Sequence, residues 1–245
     1  MMECNGWTLP EYEIDEIMIQ HMNDYPLVKE FDVWHGSLWK ILKNNYLDGT
    51  GGVGIDCGAS YGWFTIPMSQ HFNTVHSFEI RKDVSFCLER NLEHCGIQNV
   101  KIWNNAVYDV DGIDVWYDED VHITGFTCIT RIDPNISNDD IDVSQAFSGQ
   151  GGFDTPHVNI KTRSIDSMAL DDVRFIKLDI EGAEHDALCG ASLTIERCRP
   201  VIMFEVHTQR TEESYEHRQK LFKFMQEHNY QLADAVRSDY IFTAI

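Results

Sequence analysis

Positive charge is what this sequence has least of. Lys and Arg number 19 against 40 Asp and Glu, which leaves a formal net charge of −21. No cluster of basic residues stands along the chain, so the several cations that tight nucleic-acid binding sets against phosphates are missing. An anionic membrane surface is disfavoured on the same ground, while neutral or cationic small ligands stay open. Long apolar runs are missing too. No stretch reaches the roughly 18 residues of a transmembrane helix. The start, Met1-Met2-Glu3-Cys4-Asn5, has neither the basic head nor the apolar stretch of a secretory signal, so none is expected. Cysteines number 7, an odd count with no C-x-x-C pair, which argues against a disulfide framework or a zinc ribbon. Reduced thiols in a cytosol-like, cytoplasmic setting are expected, most of them small core residues.

What is present suits a folded domain. The chain has 245 residues, 43% of them hydrophobic and 11% aromatic, enough for a core without staples. Residues 11–22 read as an amphipathic helix through Ile14, Ile17, Met18 and Met22. A second helix is predicted over 37–46, and together these make an N-terminal helical cap over residues 1–47. The breaker Asp48-Gly49-Thr50-Gly51-Gly52 separates the cap from the remainder, 48–245.

After the breaker, strands and helices alternate. Strands are predicted at Val53–Cys57, Thr74–Glu79, Val100–Asn104, Arg174–Ile180 and Val201–Val206. Helices follow several of them, at Asp83–Cys95, Ala183–Cys189 and Glu212–His228. Alternation of this kind implies βαβ units and a mostly parallel sheet with helices on both faces. Tyr230–Val236 and Tyr240–Ala244 close the chain as strands joined by only Arg237-Ser238-Asp239. So short a link cannot make a parallel crossover, and an antiparallel edge strand is expected there. Gly112–Tyr117 and His157–Arg163 read as strands around an irregular acidic insertion at about 118–156, which fits a mobile surface loop and a lid equally well.

The segment Val53-Gly54-Ile55-Asp56-Cys57-Gly58-Ala59-Ser60-Tyr61-Gly62 runs as a strand, then turns through glycines toward a helix. Ligands of open α/β sheets sit at the carboxyl ends of strands beside such turns. The order D-x-G-x-x-x-G lacks the second glycine of the dinucleotide pattern G-x-G-x-x-G. Asp56 at the strand end would repel a phosphate, but suits a water or an ammonium group. Glu79, about 20 residues on, closes the next strand and suits the two hydroxyls of a ribose. Asn104-Asn105-Ala106 ends the third strand and could border an adenine.

These residues resemble the FkbM-like family of class I S-adenosylmethionine-dependent methyltransferases. The likeness covers about Val53–His207. It rests on Ile55–Phe64, Ser77-Phe78-Glu79, Asn105-Ala106-Val107, Ser164-Ile165-Asp166-Ser167, Met203-Phe204-Glu205-Val206-His207 and, above all, Lys177-Leu178-Asp179-Ile180-Glu181-Gly182-Ala183-Glu184. The resemblance implies a Rossmann-like seven-stranded sheet. It also implies S-adenosylmethionine as cofactor and methyl transfer, usually to oxygen, with a sugar, polyketide or other small metabolite as acceptor. Asp56, Gly58, Ala59, Ser60, Gly62, Glu79, Asn105 and Ala106 are then the expected cofactor-binding set.

The chemistry falls to the later strand ends. Asp179 and Glu181, two apart, would share a face in a regular strand, as would Glu205 and His207. The reading assigns Asp179 and Glu181 to orienting the cofactor's methionine part and the acceptor. His207 is the base, with Glu205 fixing its tautomer. Crowded, buried carboxylates should raise at least one carboxyl pKa there. Glu184 reads as a cap or a solvent-facing group. No tight metal-ligand spacing is present, so no metal is assigned to Asp179, Glu181, Glu205 and His207. Trp34, His35 and Trp39 fit core packing better than a lid. Two other readings compete: a non-catalytic cofactor-binding scaffold on the same fold, and a nicotinamide-dependent dehydrogenase. The second would need the G-x-G-x-x-G and a further substrate domain.

Overall fold

In the computed structural model, strand β3 (Val53–Cys57) is an interior strand of the main sheet. The structure describes residues 1–10, 22, 27, 36–47, 49, 51–118, 130–131, 157–206 and 212–245. Before β3 come a hairpin of β1 (Met2–Cys4) and β2 (Trp7–Leu9), and helix α1 (Gly36–Asn45). The helix predicted over 11–22 lies outside the described residues except for Met22, which is buried.

After β3 the chain runs through α2 (Thr65–Ser69), β4 (Thr74–Phe78), α3 (Lys82–His94) and β5 (Val100–Trp103). In α3 the residues Val84, Cys87, Leu88, Asn91 and Leu92 are buried, a spacing of three and four that puts them on one face. The next elements are β6 (Ala106–Val107), β7 (Asp114–Asp118), β8 (Thr130–Arg131) and β9 (His157–Arg163). They form a separate sheet in the order β6-β9-β7-β8. The strands expected on either side of the insertion are thus β7 and β9, paired antiparallel; beyond Asp118, which ends β7, only Thr130 and Arg131 of the insertion are described.

The last elements are β10 (Val173–Leu178), α4 (Glu184–Cys189), α5 (Ser192–Cys198), β11 (Val201–Glu205), α6 (Glu212–Glu227), β12 (Tyr230–Val236) and β13 (Asp239–Ala244). The main sheet has seven strands in the order β12-β13-β11-β10-β3-β4-β5. β11, β10, β3, β4 and β5 are mutually parallel, while β13 runs antiparallel to both β11 and β12. The short link, which in the fold is only Arg237 and Ser238 because Asp239 already belongs to β13, has the outcome its length demands, antiparallel pairing at that edge.

Both faces are covered. Ile55, Cys57, Phe78, Ile176, Leu178 and Phe204 point into one core with residues of α4, α5 and α6. On the opposite face Phe175, Met203, Val75 and Ile241 pack with Leu38, Trp39 and Leu42 of α1. Trp39 meets the rings of Phe64, His71 and Phe175 edge-on, so it is a core residue, as its composition suggested. Asn91 joins three segments: its amide nitrogen donates to the Tyr61 carbonyl, and its oxygen accepts the Thr8 N–H. The six described cysteines are free thiols. Among the described residues no helix is long and apolar enough to cross a membrane.

Candidate cofactor and acceptor site

Strand order reverses at β3, which has β4, the next strand of this sheet, on one side and β10 on the other. Such a switch point opens a crevice at the carboxyl ends of the strands. Strand alternation then decides what faces it. Asp56 pairs with Ser77 of β4 and Lys177 of β10, and Lys177 pairs with Met203 of β11. One step of two residues further along that face lie Glu79, Gly58, Asp179, Glu205 and Asp239, with Glu205 and Asp239 directly paired. Neighbouring strands are about 4.8 Å apart, so these groups form one row across the sheet tips.

The row is backed by a buried polar network. Thr65 donates to Asp56 Oδ2 at 2.6 Å, and its oxygen is 2.9 Å from Ser77 Oγ. Because Thr65 has one hydroxyl proton, Ser77 must donate to it. The Lys177 ammonium stands 3.2 Å from Asp56 Oδ1, close enough for an ion pair but off the hydrogen-bonding direction. It donates to the Gly58 carbonyl at 2.7 Å and lies 3.4 Å from Asp179 Oδ2. Burial works against charge on Lys177, but Asp56 and Asp179 outweigh it and hold the ammonium's pKa above its ordinary value. The ammonium that Asp56 was expected to suit is therefore the protein's own.

Glu79 sits at the tip of β4, only 8% exposed. Its Oε2 accepts the Ser60 N–H at 2.9 Å and its Oε1 the Arg81 N–H at 3.0 Å. Burial pushes its pKa up, against the pull of these two N–H groups and of Lys177 and Arg81. The turn beside it is fixed by Gly58 and Ala59, whose N–H groups both reach the Phe78 carbonyl. Gly58 has φ +79° and Ser60 φ +50°.

The pattern that defines the methyltransferase FkbM domain matches residues 56–232, which takes in the tips of β3, β4, β10 and β11. The chain belongs to the FkbM methyltransferase family. Its structure is similar to that of methyltransferase FkbM from Methylobacillus flagellatus KT, with a TM-score of 0.53 at 15% identity, over 97% of this chain and 56% of that one. The chain thus spans little more than half of that protein. It is also similar to precorrin 8w decarboxylase from Methanobacterium thermoautotrophicum, with a TM-score of 0.50 at 10% identity over the whole of both chains. At these identities the likeness is one of fold, the Rossmann-like sheet seen here. No curated protein matches the sequence.

In this FkbM-family chain the sequence-predicted residues fall into three groups. Asp56, Gly58, Ala59, Ser60 and Glu79 are brought together at the tips of β3 and β4, as described. Gly62, with φ +104°, packs against Leu88 of α3 and Ile66 of α2. Asn105 and Ala106 begin the second sheet. The Asn105 amide nitrogen donates to the Lys161 carbonyl, and Ala106 is buried in β6. It is Asn104 that reaches back to the β4 exit, donating to the carbonyls of Glu79 and Ile80.

At Gly58 a Cβ would stand 1.9 Å from the Asp179 carbonyl oxygen, so the glycine serves the contact between two strand tips. One expectation of geometry needs correction. Asp179 and Glu181 were placed on one face by strand alternation. β10 ends at Leu178, with one more ladder bond from the Asp179 N–H to the Cys57 carbonyl. Glu181 has φ +56° and belongs to a turn, so alternation does not position it. That turn is held by Glu184, which accepts the N–H groups of Ile180 and Gly182 and lies 2.8 Å from His217 Nε2. Glu205 accepts the Ser238 hydroxyl at 2.6 Å, and His207 lies outside the described residues. Among the described residues no group of three or more His, Cys, Asp or Glu is arranged to hold a metal ion.

Sequence reasoning missed Asp239. Its carboxyl pKa is pushed up to about 7 by burial and by the charges of Glu205 and Asp179, against Lys177 and Arg237. Crowding was expected to raise a carboxyl here, but the only signal for this one was the register of a C-terminal hairpin. An acid with a raised folded-state pKa binds more protons folded than unfolded, so stability falls as pH rises from about 4 to about 7 and then levels. The ideal effect is about 4 kcal/mol, reduced to about 2 by partial solvent screening. Asp239→Asn should therefore be more stable than the native protein at pH 8 and equal to it near pH 4. Urea denaturation across that range checks this, and parallel curves for the two proteins would refute it.

Proposed function

We propose that this protein transfers a methyl group from S-adenosylmethionine to a hydroxyl oxygen of a small metabolite, with a sugar or similarly hydroxylated molecule as acceptor. The observation that carries the reading is Glu79. Its carboxylate is held at the crevice edge by two backbone N–H groups, one per oxygen, and each oxygen keeps a further lone pair. A pair of vicinal ribose hydroxyls is the chemistry such a group accepts. The nucleoside-holding set is Asp56, Gly58, Ala59, Ser60, Gly62, Glu79, Asn105 and Ala106, with Asp56 acting through the turn it helps to fix.

When bound, the cofactor supplies a methyl group on positively charged sulfur. Across β3 from Glu79, the row continues with the carboxylates of Asp179, Glu205 and Asp239. Asp179 and Glu181 orient the methionine part and the acceptor. His207, two residues past Glu205, takes the acceptor's proton, and Glu205 holds its tautomer. Orientation contributes about 7–11 kcal/mol and a base about 10²–10⁴-fold, so positioning carries most of the effect.

The test is transfer of labelled methyl from S-adenosylmethionine to a panel of sugars and hydroxylated metabolites. Label should appear as an O-methyl ether. His207→Ala should lower turnover about 100-fold or more, with affinity for S-adenosylhomocysteine unchanged within about twofold. Cofactor binding without transfer to any member would favour a scaffold role. Label on nitrogen or carbon would overturn the choice of oxygen.

A further inference from the structure

Lys177 is the one cation that touches both halves of the crevice among the described contacts. Its side chain is 5% exposed, and its three N–H donors have three oxygen neighbours: the Gly58 carbonyl, Asp56 and Asp179. Gly58 and Lys177 are 119 residues apart in sequence. The Phe64 ring lies 5.5 Å from the ammonium and screens it from water on a further side. The contacts are unequal. Gly58 and Asp56 are held closest, and Asp56 is fully buried, whereas the Asp179 carboxylate is farthest and is 31% exposed. A buried ion pair with Asp56 would by itself suffice to satisfy one carboxylate. It does not require the ammonium to reach the glycine turn as well.

We propose that Lys177 is a positioning residue that couples the glycine turn at 58–60 to the Asp179 carboxylate, so that a change at one is felt at the other. The cofactor part of this inference rests on the function proposed above; the coupling itself does not. An ammonium shared by three oxygens moves toward whichever holds it best. When Asp179 loses its charge or is drawn toward a ligand, Lys177 shifts toward Gly58 and Asp56, and the turn that carries the Ala59 and Ser60 N–H groups responds. Asp179 is thereby tied to the Ser60–Glu79 hydrogen bond through Lys177 and the Gly58 carbonyl.

The experiment is a double-mutant cycle between Lys177→Met and Asp179→Asn, read in two ways. The first reading uses amide NMR shifts of Ala59 and Ser60 in ligand-free protein. Asp179→Asn should move both when Lys177 is present and leave them in place in the Lys177→Met background. The second reading uses calorimetric titration with S-adenosylhomocysteine. Asp179→Asn should weaken binding about tenfold with Lys177 present and less than about twofold without it. Thermal denaturation of each variant separates this from loss of fold. Should Lys177→Met not fold because Asp56 is left buried alone, the same cycle is run in Asp56→Asn, where removing Lys177 leaves no buried carboxylate unpaired. Equal amide shifts with and without Lys177 would overturn the coupling. Lys177-dependent shifts in a protein that binds no S-adenosylhomocysteine would leave the coupling standing and remove the proposed cofactor instead.

Discussion

Gly58→Ala is expected to lower the stability of the protein by about 4 kcal/mol or more, and its melting temperature by about 10 °C. Two effects combine. A Cβ at this position would stand 1.9 Å from the Asp179 carbonyl oxygen, far inside any permitted contact. That oxygen is backbone at the tip of β10, so no side-chain rotation relieves the overlap. The residue also has φ +79°, where any side chain adds about 1 kcal/mol of strain. Gly58 cannot back away, because its N–H is bonded to the Phe78 carbonyl and its own carbonyl to Lys177. The turn would have to leave the sheet tip, and the Ser60–Glu79 hydrogen bond would go with it. Differential scanning calorimetry reads the loss directly. A melting temperature within about 2 °C of the native value would show that the two strand tips are not in contact as described.

Glu79→Ala should have the largest effect on cofactor affinity with little effect on fold. Charge-assisted hydrogen bonds from two ribose hydroxyls to one carboxylate are worth about 3–4 kcal/mol together, so affinity for S-adenosylhomocysteine should fall about 100-fold to 1,000-fold. The change also frees the N–H groups of Ser60 and Arg81, which Glu79 holds in the native protein. Water can reach a site at the crevice edge, so the stability cost should be about 1–2 kcal/mol, well below that of Gly58→Ala. Calorimetric titration measures the affinity and thermal denaturation the fold. Unchanged affinity in a folded variant would mean that the carboxylate only braces the turn.

The difference between these variants shows what the sequence can and cannot reveal. The strand–turn–helix at Val53–Gly62 and the acid at the end of β4 are local features, legible as a glycine-bearing turn after an apolar run and a carboxylate closing the next strand. Hydrophobic runs and a three-residue link are local too, and they predicted the strands and the antiparallel closing pair, whereas the seven-stranded sheet came from the family resemblance. The reason for Gly58 was not local. A glycine after a strand suggests a close approach, but only the fold shows that the approaching group is the Asp179 carbonyl rather than a ligand.

The same limit applies to Lys177, Asp239 and Glu184. Nothing near Lys177 in sequence indicates the Gly58 carbonyl 119 residues away. Asp239 looked like part of a turn. Its place in the row depends on β13 inserting between β11 and β12, a pairing that no short-range pattern encodes. Glu184 was read as a cap or a solvent-facing group, whereas it braces the turn at 180–182 and meets His217 from α6. Strand alternation misplaced Glu181 because the strand ends three residues earlier than the rule needs.

The most direct test of the account is a crystal structure of the protein grown with S-adenosylhomocysteine. The account predicts the ribose hydroxyls on the Glu79 carboxylate, the nucleoside against the turn at 58–60, and the sulfur on the side of the row that carries Asp179 and Glu205. A nucleoside bound elsewhere, or a crevice between β4 and β10 filled by the protein's own side chains, would contradict it.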